Sequence, residues 1–406
     1  MRVEQTDVCV VGGGPGGLMA GLLLARQGVR VTVLEKHPDF LRDFRGDTVH
    51  PSTLRVMDEL GLVDDFLKLP HAEAPAMTMD TATGPCVFAD FSRLPGRFRF
   101  MAFMPQWDVL NFLAEAGRAC PGFRLEQSAE VTGLTRENDR VTGVVAETED
   151  GPLEVRAKLV IGADGRRSVV RTAAALPLAG DAAPMDALWF RLSRQDGETV
   201  PTIKARAGYL VVAINRQTYW QAVQMIPKGR YEAVRATGIE QFRSGVRRAH
   251  PGFAARLEEE IRDWDDVKLL DVRIDRLRRW YAPGLLCIGD AAHAMSPAGG
   301  VGINLAVQDA VAAARILGPV LRAGRVPGTT HLRAVQRRRE LPMRVIQLMQ
   351  LHLLGDLYPS THRKSTDRPL VVRLNRLLPF LPHLMARLIA IGVRPETVGE
   401  AAGVRN

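Results

Sequence analysis

Four cysteines in 406 residues leave this chain with almost no means of covalent bracing. Cys9, Cys86, Cys120 and Cys287 are scattered and form no C-x-x-C pair. That spacing excludes a disulfide framework and a cysteine zinc site, and points to reduced thiols used as small core residues in a cytoplasmic protein. No long hydrophobic run is evident. The most apolar stretch, between Arg376 and Arg387, is ten residues long with two prolines, whereas a membrane span needs about 20. A first strand is predicted within a few residues of Met1, so no signal peptide is expected. Internal repeats and low-complexity tracts are also missing, and no cluster of metal-ligand type stands out.

What is present is an ordinary globular balance, 46% apolar and 24% charged, with length for about two or three domains. The net charge of +9 is unevenly placed: His331–Asn406 holds thirteen Lys/Arg against five Asp/Glu, or +8, and the rest is nearly neutral. A basic tail of this kind suits nucleic acid or an anionic membrane surface. Its charges are interspersed with apolar residues at helical spacing, which favours a solvated helical surface and no nucleic-acid partner.

The chain is organised around Asp7–Lys36, DVCVVGGGPGGLMAGLLLARQGVRVTVLEK. Val8–Val11 reads as a buried strand, Leu18–Arg26 as a helix stopped by Gly28, and Val31–Leu34 as a second strand. Between the first two, Gly12, Gly14 and Gly17 make G-x-G-x-x-G, with Pro15 inside it. Glycine is needed there for a tight turn, close approach of backbone to a pyrophosphate, and close helix–sheet contact. The helix N-terminus offers N–H groups to phosphate, and Glu35 suits a ribose hydroxyl, with Lys36 beside it. The unit predicts a dinucleotide, either FAD or a nicotinamide.

Further on, Arg42–Val49 reads as a loop, followed by a helix from Pro51 to Gly61. Short antiparallel strands are expected over Met77–Phe103, a helix over Asp108–Cys120, and a hairpin over Glu130–Thr148 turning at Asn138-Asp139. From about Pro177 to Asp275 the character changes to a separate antiparallel sheet, with strands at Ala187–Leu192, Tyr209–Ile214 and Trp220–Ile226 and helical pieces at Gly238–Arg248 and Phe253–Ile261. A long helix is predicted over Ile303–Leu317. Beyond Leu332 the chain reads as helical, with breaks at Pro342, Pro359, Pro369, Pro379 and Pro382.

Two later stretches repeat one form, a strand followed by Gly and Asp and then a turn into a helix. They are Gly162-Ala163-Asp164-Gly165 and Gly289-Asp290. A carboxylate at the end of a parallel strand sits where ligands dock in such sheets, and Asp290 is suited to the polyol of a flavin's ribityl chain. Pro297–Gly302 is too rich in glycine for a packing device. With Gly300 and Gly302, and Ile303 and Asn304 opening the next helix, it reads as bare backbone beside a flat ligand. A helix N-terminus there stabilises a reduced flavin, which is an anion.

In these three motifs, GGGPGG at Gly12, GADGRRSVVR at Gly162 and GDAAHAMSPAGGVGINLAVQDA at Gly289, the chain resembles the FAD-dependent aromatic hydroxylases of the p-hydroxybenzoate hydroxylase type over roughly Asp7 to Leu317. The resemblance implies an α/β, α+β two-domain fold. Residues 1–75, 104–176 and 276–330 would form a Rossmann-like FAD/NAD(P)-binding domain with a parallel sheet. Residues 76–103 and 177–275 would form an antiparallel-sheet substrate domain, and 331–406 a helical C-terminal region. It implies non-covalent FAD, NAD(P)H as a transient co-substrate, and dioxygen, with hydroxyl transfer to an aromatic, phenolic or polyketide-like molecule through a flavin C4a-hydroperoxide. It assigns Arg45 to the flavin and nicotinamide regions, with Arg42 as its substitute and Gly46 beside it. Gln106 falls on the FAD ribose side, Asp164 in a motif serving both cofactors, and Pro297 beside the flavin ring where oxygen reacts.

Asp47 is a departure that alters polarity near the flavin. No counterpart of the C-terminal thioredoxin-like domain of phenol hydroxylase-type relatives is found. The W-x-W-x-I-P of flavin-dependent halogenases and a second G-x-G-x-x-G are also missing. Substrate is expected between the antiparallel sheet and the flavin, near Trp189, Phe190, Arg191, Tyr219, Trp220, Gln221 and Met225. Strand alternation gives two faces and does not say which is inward. His293 reads as structural, and no base for the substrate is singled out. The alternatives are an FAD-dependent reductase or epoxidase acting on an isoprenoid or quinone, its basic tail on a membrane surface, and a non-enzymatic flavin sensor. Either a monomer or a homodimer is consistent with the sequence.

Overall fold

The computed structural model describes residues 1–41, 48–81, 84–181, 183–195, 197, 202–206, 209–216, 218–357, 374–375 and 377–399. Val8–Val11 is the buried end of a longer strand, Arg2–Val11. These four residues pair in parallel with Val31–Leu34 on one side and with Leu159–Gly162 on the other. Helices cover the sheet, so its central strands are continuous apolar runs rather than alternating ones. Across the sheet the order is Tyr281–Ala282, Leu285–Cys287, Gly151–Gly162, Arg2–Val11, Val31–Leu34 and Phe123–Glu126. The hairpin Glu130–Glu137 and Arg140–Thr148 adds to the long Gly151–Gly162 strand in antiparallel fashion. Its turn carries Asn138 at φ 53°, a conformation asparagine tolerates.

Helix Pro15–Arg26 starts with proline in its first turn and buries nearly its whole length. A Cβ on Gly21 would meet Phe123 and Val33 at 2.8 and 2.9 Å, so the helix lies unusually close to the sheet. Gln106–Arg118 and the long helix Val301–Arg322 pack around it. The latter falls within Ala298–Arg322, which is apolar and long enough to cross a membrane, yet 78% of its most apolar window is buried. It is the core helix of this domain, and it is a longer apolar run than the ten residues between Arg376 and Arg387.

The second sheet runs Lys268–Leu270, Met185–Ser193, Tyr219–Pro227, Tyr209–Asn215, Thr202–Arg206, Ala76–Thr81, Gly84–Asp90. It is antiparallel except where Thr202–Arg206 meets Ala76–Thr81 in parallel. Helices Ile239–Ala249 and Ala254–Glu260 close one face through Phe242, Val246 and Leu257. Met101–Phe103, expected in this sheet, pairs instead with Thr48–Val49 and Ala72–Ala74. Thr48–Val49 was expected in a loop and is a two-residue strand.

The described part of the C-terminal region is not a body of its own. Leu332, Val335, Met343, Ile346, Ile389 and Val398 belong to the same core as the parallel sheet. Helix Thr329–Leu357 continues through Pro342, where a break was expected. Pro382 opens helix Leu381–Ala390, a position that needs no amide proton. Pro359 and Pro369 lie outside the described residues. The thiols are free, and Cys9, Cys86 and Cys287 are buried; burial pushes the Cys9 thiol up to about 12.

Candidate active site

The three motifs converge at the carboxyl ends of the parallel strands, where α/β sheets take their ligands. Gly12 has φ +104°, and a Cβ there would lie 2.5 Å from the Ala163 carbonyl oxygen. The first motif therefore rests directly on the second. A Cβ on Gly17 would lie 1.9 Å from the Gly12 oxygen, while one on Gly14 would meet nothing within 4 Å. Gly16 and Gly289 both face Ala306, at 3.2 and 3.1 Å from its Cβ by the same construction, which brings in the third motif. No side chain caps the helix start at Gly14. Glu35 turns back onto the loop: one carboxylate oxygen accepts the Gly13 N–H at 2.8 Å and the other the His37 N–H at 3.1 Å. Lys36 beside it is exposed.

Asp164 accepts the Val170 N–H at 3.1 Å. Burial pushes its carboxyl above the ordinary carboxylate value, against hydrogen bonds from Ser168 and the Val170 amide. Asp290 is about one-third exposed and accepts the Arg166 Nε–H at 3.1 Å. Arg171 ties the same two loops, donating to the carbonyls of Ala291 at 3.3 Å and Arg166 at 2.7 Å.

At the third motif, Pro297 precedes Gly299 and Gly300, both left-handed at φ 78° and 62°. Gly300 caps the helix Val301–Arg322 without any side-chain cap. Thr48 donates to the Gly300 carbonyl at 2.9 Å, and a Cβ on Gly300 would overlap the Thr48 hydroxyl. Gly302 faces open space, and Ile303 is buried. Asn304 faces inward: its side-chain oxygen accepts the His50 N–H at 3.0 Å and the Thr53 hydroxyl at 2.6 Å, and its amide donates to Gly300. The Asn304 side chain thus locks the turn from behind. Arg42, Arg45 and Gly46, with Asp47, lie outside the described residues.

The register of the second sheet decides which side chains look inward. Trp189 belongs to a cluster with Leu210, Val223 and Met225, and Ala298 of the third motif packs against that cluster. Trp220 is on the other face, packed with Phe242 and Phe253, its ring 6.4 Å from the latter. Its assignment to substrate is corrected: neighbours along a strand point to opposite faces, and Trp220 falls on the wrong parity. Arg191 stacks over the Tyr219 ring at 4.9 Å, and neither side chain lines the cavity formed by Arg194, Asn215 and Arg216. Gln221 is buried beside Arg216 and accepts its Nε–H at 2.7 Å. Arg216 in turn lies 5.6 Å from the Trp107 ring.

Arg216 and Asn215 line a cavity of ≈ 210 Å³ with Arg194, His71, Ala72, Phe103, Met104 and Pro105. It sits at the N-terminal end of helix Gln106–Arg118, whose first residue, Gln106, is 8% exposed. Sequence reasoning missed Arg216, Arg194 and His71. None has a local signature, and they meet only because Ala72–Ala74 and Tyr209–Asn215 come together in space.

Two uncapped helix starts, open space beyond Gly14 and Gly302, and a half-open carboxylate at Asp290 form a cleft of bare backbone. Its uncapped N–H groups suit a phosphate, and the Asp290 carboxylate suits a hydroxyl-bearing chain. Among the described residues no group of three or more His, Cys, Asp or Glu could hold a metal ion.

A family model described as "FAD binding domain" matches residues 5–349. The 6-methylpretetramide 4-monooxygenase of Streptomyces rimosus is 36% identical over 319 residues, 78% of this chain and 76% of that protein. The 12-dehydrotetracycline 5-monooxygenase/anhydrotetracycline 6-monooxygenase of Streptomyces rimosus subsp. rimosus is 28% identical over 97% of this chain and 78% of its own. In fold, the p-nitrophenol 4-monooxygenase from Pseudomonas putida matches with a TM-score of 0.78 at 22% identity, over 97% of this chain and all of the other.

Proposed function

The chain belongs to the FAD-dependent monooxygenases of the p-hydroxybenzoate hydroxylase type, and from that premise we propose that it hydroxylates a fused-ring, polyketide-like phenol with NAD(P)H as electron donor. The cofactor part of this reading is supported by the convergence of the three motifs, with Gly12 against Ala163 and both Gly16 and Gly289 against Ala306, and the substrate class by the likeness to the 6-methylpretetramide and anhydrotetracycline monooxygenases. In it, Gly14, Pro15 and the helix start hold the cofactor's pyrophosphate, Glu35 and Lys36 its ribose side, and Asp290 its polyol. Gln106 and Asp164 flank it, and Arg45 with Arg42 meets the nicotinamide. Bound FAD supplies the electron transfer and oxygen activation that amino-acid side chains lack. The protein's part is to orient and to exclude water. The glycine turn Gly299–Gly302 after Pro297 presents unblocked backbone where oxygen and a flat ring approach.

Substrate enters the ≈ 210 Å³ cavity between the second sheet and helix Gln106–Arg118. Gln221 holds the Arg216 guanidinium in place. The test is turnover under labelled dioxygen with polycyclic phenols. One labelled oxygen atom should enter the product; label arriving only from water, or equal turnover without oxygen, overturns the reading.

A further inference from the structure

Asp309 is fully buried and lies one residue beyond Gln308 on the long core helix. Its Oδ2 accepts the Gly289 N–H at 3.1 Å and meets His293 Nε2 at 2.6 Å. Its Oδ1 accepts the Arg339 Nε–H at 3.0 Å. Arg339, 2% exposed, reaches the C-terminal segment, donating to the Arg394 carbonyl at 3.2 Å and lying 3.5 Å from Glu396 Oε1. Glu396, at 1% exposure, also holds Arg338 through Oε1 at 2.6 Å and Arg315 through Oε2 at 2.9 Å. Its own N–H is accepted by Gln308 at 2.6 Å. Part of the basic tail is therefore internal and paired, not a solvated surface.

Two more contacts attach this segment to the other wall of the cleft. The Ile389 carbonyl meets His50 Nδ1 at 3.1 Å, and the Val398 N–H donates to Glu59 at 2.6 Å. Ile389–Val398 is thus fastened directly to the Thr48–Glu59 stretch and, through Arg339 and Asp309, to the Gly289–Asp290 turn. Both frame the bare-backbone cleft.

We propose that Glu396 is a positioning residue for the cofactor, acting through Arg339 and Asp309 on the Gly289–Asp290 turn. Buried charges are held in place only by partners, and in a low-dielectric interior each one fixes the next. Glu396 draws Arg339 to the correct depth. Arg339 then orients the Asp309 carboxylate, whose other oxygen sets the Gly289 amide and with it Asp290. Gly289 and Gly16 share the Ala306 contact, so a displacement here changes the distance between the polyol carboxylate and the pyrophosphate turn. The inference rests on FAD occupying this cleft.

The test compares E396A, E396Q and R315A with the native holoenzyme, measuring the FAD dissociation constant, the flavin absorption maxima and the denaturation midpoint. Arg315 touches Glu396 through Oε2 and makes no contact with Arg339 or Asp309 among the bonds above. E396A should weaken FAD binding at least tenfold and shift the flavin bands. E396Q, which keeps an acceptor for Arg339, should weaken it a few-fold, and R315A should leave it unchanged. A purely structural role would lower the denaturation midpoints and leave affinity and spectrum alike in all three, which overturns the proposal. If E396A does not fold, E396Q against R315A decides: equal affinities overturn it. A native chain that takes up no FAD would refute the cofactor assignment itself, a separate result.

Discussion

The Thr48 hydroxyl donates to the carbonyl of Gly300, 252 residues further along the chain, and leaves no room for a side chain there. Gly300→Ala should therefore fail twice, by contact with Thr48 and by its left-handed φ of 62°, which alone costs roughly 1–2 kcal/mol for an L-residue. The expected result is a lower melting temperature together with loss of flavin. Restoration of both by the double change with Thr48→Ser is not expected, since serine keeps the oxygen that clashes.

Gly14 and Gly17 should separate folding from cofactor binding. Gly14→Val places its branches in open space, so the apoprotein should melt near the native temperature and yet hold no FAD. Gly17→Ala drives a methyl into the Gly12 carbonyl and should destabilise the apoprotein itself. Equal flavin content in native protein and the Gly14 variant would count against the pyrophosphate turn.

His50 predicts acid sensitivity. Its ring is fully buried, and burial lowers its pKa to about 4 from the ordinary 6.5, against the carbonyls of Ile389, Gly299 and Gly300. The folded protein resists protonation that the unfolded chain accepts, so stability falls as pH drops from 6.5 toward 4 and levels off below. The loss is on the order of 3 kcal/mol. Denaturant titrations of His50→Gln should show a flatter profile in that window.

Asp309 acts in a more acidic range. Burial raises its carboxyl, but His293 and Arg339 outweigh that and hold it below the usual carboxylate value. Its contribution is complete above the unfolded carboxylate pKa of about 4 and is lost as pH falls through the lower folded value. Asp309→Asn leaves Arg339 buried beside a neutral amide and should cost about 3–5 kcal/mol at neutral pH. Chemical denaturation of the apoprotein measures it.

For the cavity, Gln221→Leu removes the acceptor that holds Arg216. We expect a higher KM for substrate with native FAD content and near-native melting. Trp220→Phe, on the far face, should leave KM unchanged.

What could be read from the sequence follows how local each signal is. The nucleotide turn was legible because Gly12, Gly14, Gly17 and Glu35 fall within one βα unit, and their spacing is the geometry. The inward face of the second sheet was not. Trp189 and Trp220 lie on paired strands of similar apolar pattern, and only packing with Val223 and Met225 or with Phe253 tells them apart. Glu396 was invisible for another reason: its partners Arg338 and Gln308 stand 58 and 88 residues away, and nothing near it marks it as buried. Pro342 misled because a proline normally ends a helix, whereas packing of Val335, Met343 and Ile346 against the core carries this one through.

The register of the parallel sheet also sets an order of assembly. Arg2–Val11 cannot find its central neighbour until residue 162 has been made, and that strand waits again for Leu285–Cys287. Contacts so distant along the chain slow folding. The nucleotide loop is thus made well before the strands that enclose it. During that interval Val8–Val11 and Val31–Leu34 remain an apolar pair with an open edge, the kind of surface that aggregates. Expression yield should therefore respond to growth temperature and to flavin supply during synthesis more than the finished enzyme's melting temperature would suggest.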